Sequence, residues 1–452
     1  MPETTPRQII AVVGGATAGA EAAALFAERG AEVVVFEQNA RPYGKIEDGL
    51  PRWHDKLRRK EYDLINDKLS RPRIHFVPRT KIGRDIDFRE LATDWGFTAV
   101  VLALGAWRDR PLPIDGAERY VDRGLVYQNP LIHWFNHYPE VDYDGPRYEI
   151  PDGAVVIGGG LASIDVIKVL QIEVTRRALR QRDIEVDALQ LEHEGIPAVL
   201  AAYGTDWHSL GLKPATLFYR RRVEDMPLSD IPDDVEAQRR RKLEAVRRRI
   251  LEKAMQRYCF AIQAQRVPVG LLVEGKRLAG LRFQHTAVEA GRATLIEGAY
   301  DDVRAPLVVS SIGSIPEPIT GIRQAGVFYR FTDPELGRLE GYDSVFGIGN
   351  VVTGKGNIMV SRRHSIEVTT QVIEQFLGLS ADHHQGEEQL LALAAARADE
   401  AAARVAAVVG RRPSLSPQQA EKVMQRVRTR QQAVGYSGNY MQWIEQVTPA
   451  GS

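Results

Sequence analysis

The sequence predicts an α/β protein with two Rossmann-like dinucleotide-binding units and a helical C-terminal tail. Three observations carry this reading. A short apolar, β-branched run leads into a glycine-rich turn and then a helix twice, at residues 9–29 and again at 154–174. The 452 residues suffice for two or three packed domains of roughly 100–200 residues each. Beyond Ser380 the chain turns alanine-rich with helical spacing.

In the first unit, Ile9 to Val13 reads as a strand, Gly14-Gly15-Ala16-Thr17-Ala18-Gly19 as the turn, and AEAAALFAERG as a helix ending at Gly30. A second strand, Val33 to Phe36, closes on Glu37, 18 positions after Gly19. That is where a ribose-binding carboxylate belongs. The glycines allow backbone N–H groups to approach a pyrophosphate, whose charge suits a helix N-terminus. Ala16 stands where the motif has its middle glycine.

In the second unit, Ala154 to Ile157 leads into Gly158-Gly159-Gly160-Leu161-Ala162-Ser163, and the following strand, Ala215 to Tyr219, ends on Arg220-Arg221-Arg222. Arg220 lies 57 positions after Ser163, so a helical insertion is expected at about 171–213. The contrast between the two strand ends is informative. A carboxylate repels the 2′-phosphate of NADP, whereas arginine binds it through charge-assisted hydrogen bonds. The first unit therefore suits FAD and the second NADP, with NADPH preferred over NADH.

Composition narrows the chemistry. The charges balance, 59 Lys+Arg against 59 Asp+Glu, so no nucleic-acid or anionic-membrane partner is expected. The lone Cys259 excludes an internal disulfide, a Cys-x-x-Cys pair and any four-cysteine cluster. Electrons must therefore be carried by an organic cofactor. The N-terminal segment lacks the pattern of a secretory signal and no run approaches 18 apolar residues, so a cytoplasmic protein without a membrane span is expected. His383-His384 beside Asp382 lacks a second ligand cluster, and no metal is expected.

Further stretches resemble a known family. Ala99 to Arg108, with Leu104-Gly105 at its turn, is similar to a crossover strand, and Val308 to Ser314 to the strand returning from an inserted domain. Val345 to Gly349-Asn350, followed by VVTGKGNIMVSRRHSIEVTTQV, is similar to a terminal FAD motif. Tyr43-Gly44-Lys45 through Pro51, and Tyr219-Arg220-Arg221 with Met226-Pro227, complete the likeness. Residues 8 to 378 together resemble the adrenodoxin reductase (ferredoxin–NADP reductase) and glutamate synthase small-subunit branch of FAD-dependent pyridine nucleotide oxidoreductases. Two departures stand out: Asn350 replaces the aspartate of the glutamate synthase type, and its cysteine-rich cluster domain has no counterpart here.

The resemblance implies an NADP domain inserted into an FAD domain: 1–120 and 319–380 for FAD, 121–318 for NADP, and 381–452 as the helical extension. It implies FAD contacts at Gly14, Ala16, Thr17, Ala18, Gly19, Glu37, Gly44, Lys45, Leu104, Gly105, Gly349 and Asn350. Gly356, Asn357 and Ile358 would lie beside the flavin pyrimidine. NADP contacts fall on Gly158, Gly160, Leu161, Ala162, Ser163, Arg220 and Arg221. The implied reaction is hydride transfer from NADPH to FAD, then electron delivery to a ferredoxin-like carrier or an iron–sulfur partner subunit. No catalytic side chain is required, and His364 is the one proton-relay candidate. Arg362 and Arg363 are candidate docking cations for an acidic carrier. Alternatives are a flavin electron-input subunit of a larger complex, and a non-catalytic nucleotide-binding scaffold. The tail either clasps the FAD domain or carries a subunit contact.

Overall fold

The computed structural model describes residues 8–228, 236–289, 291–352 and 384–449. The first unit opens with β1 (Ile9–Val13), α1 (Thr17–Glu28) and β2 (Glu32–Phe36), followed by α2 (Lys45–Asp48), α3 (Asp55–Leu69), β3 (Ile74–Val77), α4 (Phe88–Thr93) and β4 (Ala99–Leu102). The strands are short apolar runs buried on both faces, as a parallel sheet covered by helices requires. After β5 (Arg108–Asp109) the chain enters a second sheet through β6 (Leu125–Tyr127), α5 (Gln128–His137), β7 (Val155–Gly158) and α6 (Leu161–Arg180). Then come α7 (Ala188–Glu194), α8 (Ile196–Ala202), β8 (Thr216–Tyr219), α9 (Ala237–Tyr258) and β9 (Ala261–Ala264).

A three-stranded antiparallel sheet follows, built from β10 (Arg266–Glu274), β11 (Arg277–Glu289) and β12 (Arg292–Arg304). The chain returns through β13 (Val308–Ser311) and β14 (Ser314–Ile315). It then forms the hairpin β15 (Gln324–Ala325) and β16 (Phe328–Tyr329), and finishes the first sheet with β17 (Phe331–Asp333), β18 (Arg338–Leu339) and β19 (Val345–Gly347). The first sheet has the order β17-β18-β19-β4-β1-β2-β3, parallel from β19 to β3. The second has the order β6-β13-β7-β8-β9 and is parallel throughout. The two crossings between the sheets meet: β5 pairs antiparallel with β14, Asp109 opposite Ser314.

Two features differ from expectation. The helix from Leu161 continues to Arg180, past the expected start of the insertion at 171, because Val166, Val169, Leu170 and Val174 are all buried in the core of the second unit. The antiparallel sheet at 266–304 was not anticipated, although the Gly275-Lys276 turn between Glu274 and Arg277 is a hairpin signal.

The tail packs on the first sheet's helices. Ala402, Val405, Ala406 and Val409 of the helix His384–Val409 join the core that holds Phe26. Val423 and Val427 of the helix Pro417–Ala433 pack in the core holding Trp95. In the last helix, Tyr440–Val447, Trp443 is buried and donates to Ala40 O at 2.8 Å, while Tyr440 donates to Asn66 Oδ1 at 2.7 Å. Ser416 caps the middle helix with a capping box.

The second unit encloses a buried charge. Lys168 is fully buried, with Nζ 2.8 Å from Glu192 Oε1, 3.8 Å from Asp165 Oδ1, and over the rings of Trp53 and Tyr258 at 4.7 and 4.8 Å. Burial alone would lower the Lys168 pKa, but Glu192, Tyr258 and Asp165 carry it above its ordinary value; Glu192 is correspondingly held below its own. Truncating one partner strands the other. Glu192→Ala is expected to lower the unfolding free energy by about 3–5 kcal/mol. The measurement is the urea midpoint at unchanged slope, and adding Lys168→Met should recover most of the loss.

Candidate dinucleotide cleft

The cleft is built where β1 hands over to α1. A Cβ on Gly19 would lie 1.8 Å from Gly14 O, and one on Gly14 would lie 2.6 Å from Ala103 O. Only glycines allow the helix to start this close to the strand ends. Thr17, Ala18 and Gly19 open the helix, and their N–H groups have no carbonyl one turn back to reach. The first such bond is Ala20 N–H to Ala16 O, 2.8 Å. Ala16 keeps its methyl because Gly44, at φ +54°, has none; a Cβ there would meet that of Ala16 at 2.9 Å.

Glu37 sits at the end of β2, 4% exposed. Its Oε2 accepts from Gly15 N–H at 2.8 Å and its Oε1 from Asn39 N–H at 2.9 Å. The carboxylate thus fixes the glycine turn and keeps an acceptor lone pair on each oxygen for ribose hydroxyls. Burial raises its pKa to about 7, against the backbone hydrogen bonds that lower it.

A cavity of about 380 Å³ runs from this turn across the ends of β2, β1, β4 and β19. Among its lining residues are Gly14, Ala16, Thr17, Ala18, Glu37, Gly44, Lys45, Leu104, Gly105, Gly349 and Asn350, eleven of the twelve positions expected on the first unit outside 353–383. Gly19, the twelfth, lies beneath the turn as the close-packing glycine. Sequence reasoning missed Tyr43, Trp107 and Ala394, which line the same cavity. Trp107 follows Leu104-Gly105 after one alanine and was legible as part of that loop. Ala394 carries no motif and arrives with the tail. Gly356, Asn357, Ile358, Arg362, Arg363 and His364 lie outside the described residues.

At the inner end, Lys45 Nζ donates to Ser314 Oγ at 2.8 Å and Asn129 Oδ1 at 3.1 Å; Asn129 in turn donates to Trp107 O at 2.9 Å and through its backbone to Asp109 at 3.3 Å. Burial pulls Lys45 down to about 8 and pushes Asp109 up to about 6. This polar joint ties the cleft loop to both crossing strands.

The second glycine turn has the same design. A Cβ on Gly158 would lie 2.5 Å from Ser311 O and 2.6 Å from Ser163 Cβ, while the space beside Gly160 is open. Ser163 donates from Oγ to Gly160 O at 2.6 Å, and Leu161 and Ala162 form the first turn of α6. The structure separates the two arginines. Arg221 is turned back, donating to Tyr219 Oη at 3.0 Å and Asp225 O at 3.1 Å. Arg220 is exposed, and its guanidinium donates no hydrogen bond among the described residues.

No family model matches the chain. The NADPH:adrenodoxin oxidoreductase of Arabidopsis thaliana is 25% identical over 352 residues, 69% of each chain. A Mycobacterium tuberculosis glutamate synthase [NADPH] small chain is 33% identical over 172 residues, 37% of this chain and 34% of that one. A probable ferredoxin/ferredoxin–NADP reductase of Mycobacterium bovis is 32% identical over 164 residues, 36% of this chain and 27% of that one. What the chain is similar to, then, are proteins named as oxidoreductases that use NADPH or NADP. It spans about two thirds of the first relative, a third of the second and just over a quarter of the third. The solved structure of Mycobacterium tuberculosis FprA in complex with NADPH shares the fold, with a TM-score of 0.60 and 19% identity, over 94% of this chain and 91% of that one. The α/β dinucleotide-binding class read from the sequence is thus the observed one. No helix among the described residues is long and apolar enough to cross a membrane.

The residues around the first turn fit FAD: a glycine cradle that a single Cβ would fill, free helix N–H groups for a pyrophosphate, and a buried carboxylate for a ribose. Ribose hydroxyls would donate to ionised Glu37, so FAD binding there would oppose its protonation. FAD affinity is expected to rise with pH by up to about tenfold per unit below about 7, then level off. For the apoprotein the sign is opposite, because a raised acid pKa stabilises the fold at low pH and that stability is lost as pH rises from about 4.5 to about 7. Fluorescence titration of FAD between pH 5.5 and 8 checks this, and Glu37→Gln should flatten the profile.

Proposed function

We propose that this chain is an NADPH-dependent flavoprotein oxidoreductase that delivers electrons to a ferredoxin-type protein acceptor. FAD held in the cleft would supply the redox chemistry, taking up hydride and returning electrons. The single observation that carries the reading is the contrast between buried Glu37 at one glycine turn and exposed Arg220 at the other. A carboxylate accepts hydrogen bonds from a ribose diol and repels a phosphate, whereas an exposed guanidinium attracts a phosphate.

The chain's own residues position and polarise. Thr17, Ala18 and Gly19 would hold the FAD pyrophosphate and Glu37 its adenosine ribose, while Gly349 and Asn350 border the far end of the same cavity. Leu161, Ala162 and Ser163 would hold the NADPH pyrophosphate, and Arg220 its 2′-phosphate. Lys45 lines the cavity and brings a cation to its inner end. With Cys259 the only cysteine, and half-buried with its thiol pushed up to about 11 by that burial, no thiol relay within the chain supports the outward step. The acceptor is then an external protein, as the names of the adrenodoxin and ferredoxin reductase relatives accord with. The glutamate synthase relatives favour a second reading, an electron-input subunit that feeds clusters on another chain. Copurification as a monomer that reduces ferredoxin at full rate would exclude it.

Visible spectra before and after anaerobic NADPH and NADH test the first reading. A bound flavin that neither coenzyme reduces would sink it and leave a nucleotide-binding scaffold. For coenzyme choice, Arg220→Ala is expected to raise KM for NADPH about ten- to hundredfold, the cost of about 1.5–3 kcal/mol for a charged hydrogen bond, with NADH unchanged. Arg221→Ala should cost NADPH less, because that guanidinium already serves Tyr219 and Asp225.

A further inference from the structure

We propose that Asp48, His133 and His137 form a site for a divalent cation of the zinc class. The two histidines are one helical turn apart on α5, which places their rings on one face, with centroids 4.5 Å apart. The third group comes from another part of the chain, the last residue of α2. Asp48 Oδ1 lies 3.2 Å from His137 Nε2 and 3.9 Å from His133 Nε2, and one ligand atom of each residue lies within 4.8 Å of the others.

These separations fit tetrahedral coordination. Bonds of about 2.0–2.1 Å put neighbouring ligand atoms about 3.3 Å apart. The His137–Asp48 edge already has this length, and His133, 46% exposed, has room to turn inward. Glu140 supplies the outer contact that metal-bound imidazoles commonly have. Its Oε1 lies 2.7 Å from His137 Nδ1, which directs Nε2 toward Asp48. Two imidazole nitrogens and one carboxylate oxygen favour zinc or cobalt over magnesium or calcium, which prefer all-oxygen sites.

The site is reachable and open. Asp48 and His133 both line a cavity of about 180 Å³ shared with Lys45 and Trp107, which leaves a fourth position for water or a ligand. Its location gives the cation a structural effect. It would bridge the cleft loop to the first helix of the second unit, beside the existing bonds from Asn136 Nδ2 to Glu47 O and Leu50 O.

The test is equilibrium dialysis of the full chain against Zn²⁺ after chelator treatment, with X-ray absorption of the loaded protein. About one zinc per chain with two imidazole scatterers is expected. His133→Ala and Asp48→Asn should each weaken binding at least about a hundredfold, and Glu140→Gln about ten- to hundredfold. Zinc should raise the melting temperature of the parent and not of His133→Ala, whose exposed position makes it a well-folded variant. No zinc uptake, or uptake of equal affinity in His133→Ala and in the parent, would overturn the proposal.

Discussion

The cleft depends on one close approach, the seating of α1 against the end of its own strand. Gly19 lies over Gly14 O and Gly14 over Ala103 O, with no room at either place for a methyl group. That contact aims the free N–H groups of the first helical turn into the cavity. Glu37 then locks the arrangement, because its two oxygens bind the glycine turn on one side and the following loop on the other. The same carboxylate is costly to keep ionised while buried, and the backbone N–H groups it accepts from offset part of that cost.

Dense packing is supplied elsewhere. Lys168 stands among Glu192, Asp165, Trp53 and Tyr258, joining α6, α7, α9 and the segment after α2 into one packed block. The tail does the corresponding work for the first sheet, burying Trp443 and Val405 against residues of α1 and α3 and their surroundings. The glycine turns, which give up side-chain packing for close approach, are thus flanked by two well-filled cores.

Most of the cleft was legible because its motifs are local. A strand, a glycine turn and a helix within about 30 residues carry their own geometry, so Gly14, Gly19, Glu37, Gly158 and Ser163 could be placed from spacing alone. Lys45 was legible by resemblance, but its bonds to Ser314 and Asn129 were not, since those partners lie far along the chain. The same applies to Lys168 with Glu192, and to Asp48 with His133 and His137. Each needs the register between elements, which periodicity within one element cannot provide. The roles of Arg220 and Arg221 look identical in sequence; only the turn that folds Arg221 onto Tyr219 separates them.

The paired crossings have a consequence for how such a chain is assembled. Because Asp109 and Ser314 face each other in a short ladder, the second unit leaves and returns at a single point. Neighbouring strands lie about 5 Å apart, so the ends left by removing residues 110–313 could be closed by a tight turn. The inserted block is joined covalently through a two-stranded stem and rests besides on the 45–54 segment, where Lys168 meets Trp53 and Asn136 meets Glu47 and Leu50. Exchanging it would leave every strand of the first sheet in place.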